Sequence, residues 1–201
     1  NATLAGGGIR TDPSFASPNC RLQLRLWGRS ITGRSKERMG LHPFSSFIVS
    51  ATMVHPDNRG SVRIKGPDTA VAPEIRFNYF VSERDQHACV VALQTIRKLM
   101  SMPAIAHYVA EEMSPGPQCI SDADLIEFCR KRGNTNHHQV GTCKMGVDGE
   151  AVVDPRLRVR GIAGLRVIDA SIMPTIVGGN TNAATVMIAE KGSAMMLEDA
   201  A

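Results

Sequence analysis

The chain has 201 residues, 43% hydrophobic and 21% charged, a balance ordinary for a soluble globular protein. It suits one domain, or one domain with part of a second, and its 4% aromatic content means that any core rests on Val, Ile, Leu, Ala and Met. The formal net charge of +4 is mild and the basic residues form no single block, which argues against nucleic-acid binding.

Residues 1–19 carry Gly6-Gly7-Gly8, Pro13 and Pro18 and read as a loose opening segment. The glycine run lacks the G-x-G-x-x-G spacing and follows no strand-like run, so it is not a phosphate loop. The chain opens on Asn1 rather than Met, with no signal peptide, and reads as a piece cut from a longer protein.

From 20 to 80 the pattern is β. Leu22, Leu24 and Leu26 alternate with Arg21, Gln23 and Arg25, giving one apolar and one polar face. Phe47–Val54 is a second strand, Pro56-Asp57-Asn58-Arg59-Gly60 a turn, and Ser61–Lys65 the return strand of a hairpin with a long loop. Glu74–Phe77 is a further strand. Strands this close in sequence pair antiparallel, because a parallel return needs a crossover of about a dozen residues or more.

From 82 to 132 the pattern is helical. Ser82 is an N-cap with Asp85 three residues on, and Cys89, Ala92, Leu93, Ile96 and Met100 follow at helical spacing. Pro103 starts a shorter helix, and Ser114–Pro117 is a loop. Ser121 caps another helix, in which Leu125, Phe128 and Cys129 share a face and which Gly133 ends. Arg156, Arg158 and Arg160 alternate with Leu157 and Val159 as in a strand, and Leu165–Ile168 reads as a short apolar strand. A last helix begins near Asn180 or Thr181 and runs towards Met196. The fold class is α+β, an antiparallel sheet with helices mainly on one face.

The five cysteines, Cys20, Cys89, Cys119, Cys129 and Cys143, are odd in number, widely spaced and without a C-x-x-C pair. That argues against a disulfide framework and a structural zinc site, and for a reduced, cytoplasmic setting. No apolar run approaches the roughly 20 residues a membrane span needs, which argues against membrane association.

Chemistry concentrates in the last third. Asn136-His137-His138-Gln139-Val140-Gly141-Thr142-Cys143 places two histidines side by side; on a strand they would face opposite sides. A metal reading with Cys143 lacks compact third and fourth ligands. Taken alone, His138 suits a structural or surface role as well as a catalytic one. Further on, Asp169 and small residues lead through Pro174 and Gly178-Gly179 to the start of the last helix. A helix N-terminus offers free N–H groups and positive potential. Both an anion site and an ordinary capped surface helix satisfy this pattern.

In order, the chain reads His138-Gln-Val-Gly-Thr-Cys-Lys-Met-Gly146, Val152-Val153-Asp154-Pro155, Leu165-Arg166-Val167-Ile168-Asp169-Ala170-Ser171-Ile172-Met173-Pro174, Gly179-Asn180-Thr181-Asn182-Ala183 and Ile188-Ala189-Glu190-Lys191. This series resembles the C-terminal signature of the glucose–methanol–choline (GMC) oxidoreductases, in particular the choline dehydrogenase-like members. The chain departs from the pattern at Gln139, where proline is usual, and at Asn180, where some members have a second histidine. The family's N-terminal nucleotide-binding βαβ unit is absent.

The resemblance implies a substrate-binding region over 20–135 and a catalytic and flavin-contacting region over 136–201, whose strand and helix belong with the flavin domain. It implies an alcohol oxidised to a carbonyl, with flavin adenine dinucleotide (FAD) as cofactor. The catalytic residues are then His138, the base, and Asn180, which hydrogen-bonds the substrate oxygen. The FAD contacts are Asp169, Ala170, Asn180, Thr181 and Asn182. The partners implied are a small alcohol and the N-terminal FAD-binding portion of the same protein, without which the chain is inactive and holds flavin poorly. Two alternatives remain: a standalone small-molecule binding module, and a docking domain for a separately encoded flavin-binding partner.

Overall fold

A computed structural model describes residues 3–10, 21–28 and 40–201. Pro13, Pro18 and Cys20 lie outside the described residues. The chain divides into two compact units, one of Asn1–Val54 with Phe80–Gly133, the other of His55–Tyr79 with Asn134–Ala201.

The first unit is built on an antiparallel sheet in the order β1 (Thr3–Arg10), β2 (Arg21–Trp27), β3 (Ile48–Met53). The alternation in β2 works as the sequence predicts, with Leu22 and Leu24 buried. The start of the chain differs. Thr3–Arg10 is not loose but a strand, its Gly6, Gly7 and Gly8 registered against Arg25, Leu24 and Gln23. Cross-strand backbone hydrogen bonds need no side chain, so the ladder offsets the poor strand propensity of glycine.

Helix α1 (Glu83–Met100) packs on β3. Its Ser82 hydroxyl accepts the Asp85 N–H at 3.0 Å, and Asp85, Cys89, Val90 and Ala92 are buried. The short α2 (Pro103–Ala106) follows, then α3 (Asp122–Arg132), which opens with a reciprocal Ser121–Asp124 capping box. Arg97 of α1 donates to both Glu112 carboxylate oxygens and to the Gly116 carbonyl, tying down the connection between α2 and α3. Gly133 ends α3 as expected, but its φ of −57° is not left-handed. Glycine is needed there for space: a Cβ would lie 2.4 Å from the Cys129 carbonyl and 2.9 Å from the Phe80 ring.

In the second unit, β4 (Ser61–Arg63) pairs antiparallel with β5 (Glu74–Arg76). The hairpin expected between Phe47–Val54 and Ser61–Lys65 does not form: β3 pairs with β2, and β4 pairs with β5. Two asparagines brace the β4–β5 pair from outside the ladder. Asn58 Nδ2 donates to the Phe77 carbonyl and Asn78 Nδ2 to the Arg59 carbonyl.

The strands expected at 156–160 and 165–168 are not strands. Only isolated bridges occur there, Val153 to Met145 and Val159, and Arg158 to Arg166. The chain from 140 to 169 is irregular coil held by backbone bonds such as Met145 N–H to the Ile172 carbonyl (2.8 Å) and Val159 N–H to the Leu165 carbonyl (2.9 Å). Its core is Val153, Leu157, Ile172, Met173 and Ile188. Burying such a side chain contributes about 1.5–3 kcal/mol, which supports coil that has no ladder of its own.

Ile188 belongs to α4 (Asn182–Ala200), and Gly192 lets this helix approach Ile168, whose Cγ2 would lie 2.5 Å from a Cβ at that position. Among the described residues, no helix is long and apolar enough to cross a membrane.

Candidate functional site

The two histidines are separated by a turn rather than by strand alternation. Thr135 Oγ1 accepts the His137 N–H at 3.0 Å, and His137 takes a left-handed φ of 60°. Non-glycine residues rarely adopt this region. The reversal leaves His137 exposed, while His138 is half-buried. Gln139, which replaces the family proline, is exposed, and its side-chain amide also donates to Thr135 Oγ1. Gly141 then turns at φ 91°, a conformation that requires glycine, and a Cβ there would lie 3.4 Å from the Met173 carbonyl.

The inward histidine meets the start of α4. His138 Nδ1 lies 3.0 Å from Thr181 Oγ1, across 43 residues of sequence. Thr181 is 8% exposed and holds the N-cap position, yet its side chain caps nothing and its backbone is αR rather than extended. Its carbonyl still accepts the Thr185 N–H at 2.9 Å, which starts the helix. The first turn carries no acidic residue. The N–H groups of Asn182, Ala183 and Ala184 therefore take no cap from the Thr181 side chain and have no carboxylate in their own turn.

Upstream, the Asp169 carboxylate accepts the Ser171 N–H at 2.7 Å and opens a 3-10 turn over Ala170–Ile172 that packs on α4. Buried Ile172 and Met173 anchor the end of this turn, and the chain continues to Gly178, Gly179 and Asn180, the last exposed. Against Gly178 lies an imidazole that the sequence did not single out. A Cβ on Gly178 would be 3.2 Å from His55 Nε2. His55 begins the His-Pro-Asp-Asn-Arg-Gly stretch read only as a turn, and nothing in the spacing from 55 to 178 signals the contact.

The Val-Val-Asp-Pro motif has a structural task. The Asp154 carboxylate accepts the backbone N–H of Arg158 (3.0 Å) and of Arg156 (2.8 Å), and pairs with the Arg158 guanidinium at 2.8 Å. The Arg158 N–H bond, then the guanidinium and the Arg156 N–H, hold this carboxyl below the usual range against the opposing effect of desolvation. Asp199 near the end of α4 joins Arg156 and Arg166.

Of the residues expected to form the site, the structure brings His138 onto Thr181, with Asn180 and Asn182 as its chain neighbours, and sets Asp169 and Ala170 in a turn packed on the same helix. Thr181 was expected only as a flavin contact and helix start; its hydroxyl is the group that meets His138. The chemistry on offer is an imidazole with one nitrogen held, carboxamides on the residues either side of its partner, and a helix start whose potential favours a group that gains negative charge.

Residues 56–189 match the GMC oxidoreductase family, and the chain belongs to it. Members of this class are FAD-dependent flavoproteins. The chain is 43% identical to the oxygen-dependent choline dehydrogenase of Klebsiella pneumoniae subsp. pneumoniae over 95% of its own length and 34% of that protein. It is equally similar, at 43%, to the enzyme of that name from Escherichia coli O127:H6, over 93% of this chain and 33% of the relative. Among solved structures it superposes on pyridoxine 4-oxidase from Mesorbium loti with a TM-score of 0.80 and 31% identity, covering 94% of this chain and 36% of that one. The chain thus spans about one third of the length of the relatives it matches.

The residues present fit the edge of a flavin. The first turn of α4 takes no cap from the Thr181 side chain and carries no acid of its own, which suits a ring that becomes anionic on reduction.

Proposed function

We propose that this chain is the C-terminal, substrate-side part of an FAD-dependent alcohol oxidoreductase, in which His138 and Asn180 act on the CH–OH group of the donor. The similarity to oxygen-dependent choline dehydrogenases supports choline as the first donor to test and oxygen as the first acceptor. The observation that carries the reading is the 3.0 Å contact between His138 Nδ1 and Thr181 Oγ1. It draws the one inward-facing histidine of the signature to the residue next to Asn180.

FAD, when bound, supplies an acceptor for the hydride that leaves the alcohol carbon. The chain's own residues handle the oxygen and its proton. With Nδ1 held by Thr181, Nε2 of His138 takes the hydroxyl proton, a task suited to imidazole near neutral pH. The Asn180 carboxamide donates to the substrate oxygen as it gains alkoxide character. The N–H groups at the start of α4, from Asn182 onward, together with Asp169 and Ala170, would hold the cofactor. Its remaining contacts fall to an N-terminal portion of the same protein, so this chain alone is inactive. The cysteine pattern supports a cytoplasmic protein.

The test is to supply the full-length flavin-loaded protein with choline and other small alcohols under air and to follow carbonyl product and oxygen consumption. Carbonyl formation from an alcohol is expected. Flavin-loaded protein that oxidises no alcohol, but does oxidise an amine or an aldehyde, contradicts the reading.

A further inference from the structure

We propose that Thr181 is a positioning residue that fixes the tautomer of His138, holding the hydrogen on Nδ1 so that Nε2 keeps its lone pair; the inference rests on the reading of His138 as the proton acceptor.

A threonine at an N-cap ordinarily accepts an N–H of the first turn and so stabilises the helix. Thr181 forgoes it. It stands at the cap position in αR geometry with no side-chain cap, it is buried, and its oxygen lies 3.0 Å from His138 Nδ1. The hydroxyl has been diverted from the helix to the imidazole.

A hydroxyl can donate or accept, so two arrangements satisfy the distance. In one, Thr181 donates to Nδ1. The ring hydrogen then sits on Nε2, which has no lone pair for a substrate proton. In the other, Nδ1–H donates to Thr181 Oγ1, and Nε2 is free to accept. Only the second survives the reaction unchanged. Once Nε2 gains a proton, both ring nitrogens are donors, and the threonine oxygen continues to accept from Nδ1–H without rearrangement. The bond a ring nitrogen makes decides which tautomer is present. Neutral histidine left to itself favours the hydrogen on Nε2, so the oxygen of Thr181 works against the intrinsic preference.

Thr181→Val removes the hydroxyl and keeps the branched shape, whereas Thr181→Ser keeps the hydroxyl. In this chain, long-range 1H–15N NMR at about pH 8, above the ordinary imidazole range, should show His138 with its hydrogen on Nδ1. The serine variant should match it, and the valine variant should shift to mostly Nε2–H. An identical tautomer ratio in the original chain and the valine variant overturns the proposal. In the full-length flavin-loaded protein, Thr181→Val should slow the limiting rate of flavin reduction about tenfold with little change in KM, and Thr181→Ser should restore most of it. Equal rates for the valine and serine variants also overturn it. His138→Ala turning over at the original rate would instead strike the base assignment. The tautomer spectrum of this chain does not depend on turnover, so the two failures are told apart.

Discussion

Thr181 opens helix α4 with its carbonyl and grips His138 with its hydroxyl, 3.0 Å from Nδ1. One residue thereby couples the start of the last helix to a turn 43 residues earlier. The order of the segment between them is a condition of the site, because both partners lie on the coil and helix that the core around Val153, Leu157 and Ile172 holds in place.

That dependence makes the approach of α4 to the coil a first test. At Gly192 a methyl group would lie 2.5 Å from Ile168 Cγ2 and 3.0 Å from its Cδ1. Gly192→Ala is therefore expected to destabilise the second unit by about 1–3 kcal/mol through overpacking, despite the better helix propensity of alanine. Urea denaturation measures this. Ile168→Ala in the same chain should relieve part of the loss, so that the double variant costs less than the sum of the two single ones.

Asp154 gives the coil an acid-sensitive brace. Its folded carboxyl is held below the unfolded value, mainly by the Arg158 N–H and further by the Arg158 guanidinium and the Arg156 N–H. A depressed carboxyl contributes stability that is present above its unfolded pKa, about 3.9, and lost as pH falls through the folded value. Asp154→Ala should lower Tm by ~2–4 °C at neutral pH. The gap between variant and original chain should close below about pH 4. A constant gap from pH 7 to pH 3 would show that the carboxylate charge is not the cause.

Flavin retention is a third test. The groups proposed to hold FAD are the start of α4 and the turn at Asp169, and the chain spans about one third of its relatives. Its glycine run lies in strand β1, not in a phosphate loop. This chain purified with excess FAD is expected to be colourless after gel filtration. A yellow stoichiometric complex would show that it carries a complete cofactor site.

Much of the fold was legible where the signal is local. Ser82 with Asp85 and Ser121 with Asp124 mark helix starts because the caps are made within one turn. Leu22 and Leu24 mark a buried face because strand periodicity is itself local. The expectations that failed depend on distant partners. β1 is a strand because β2 lies beside it, β4 finds its partner in β5 rather than in β3, and Leu165–Ile168 stays coil although its apolar run suits a strand.

The site divides in the same way. The motifs isolate His138, Asn180 and Asp169. The contact of Thr181 with His138 and the approach of His55 to Gly178 are tertiary and leave no spacing to read. The separation of the two histidines was expected from strand alternation and arises instead from the left-handed turn at His137.

The two histidines also provide the most direct test of the proposed chemistry. Full-length flavin-loaded protein is mixed rapidly with choline without oxygen, and flavin bleaching is timed for the original protein, His138→Ala and His137→Ala. The loss at His138 should be on the order of 100-fold or more, while His137, exposed and turned away by its positive φ, should cost little. Equal losses at both positions, or a larger one at His137, would contradict the assignment of the inward imidazole as the base.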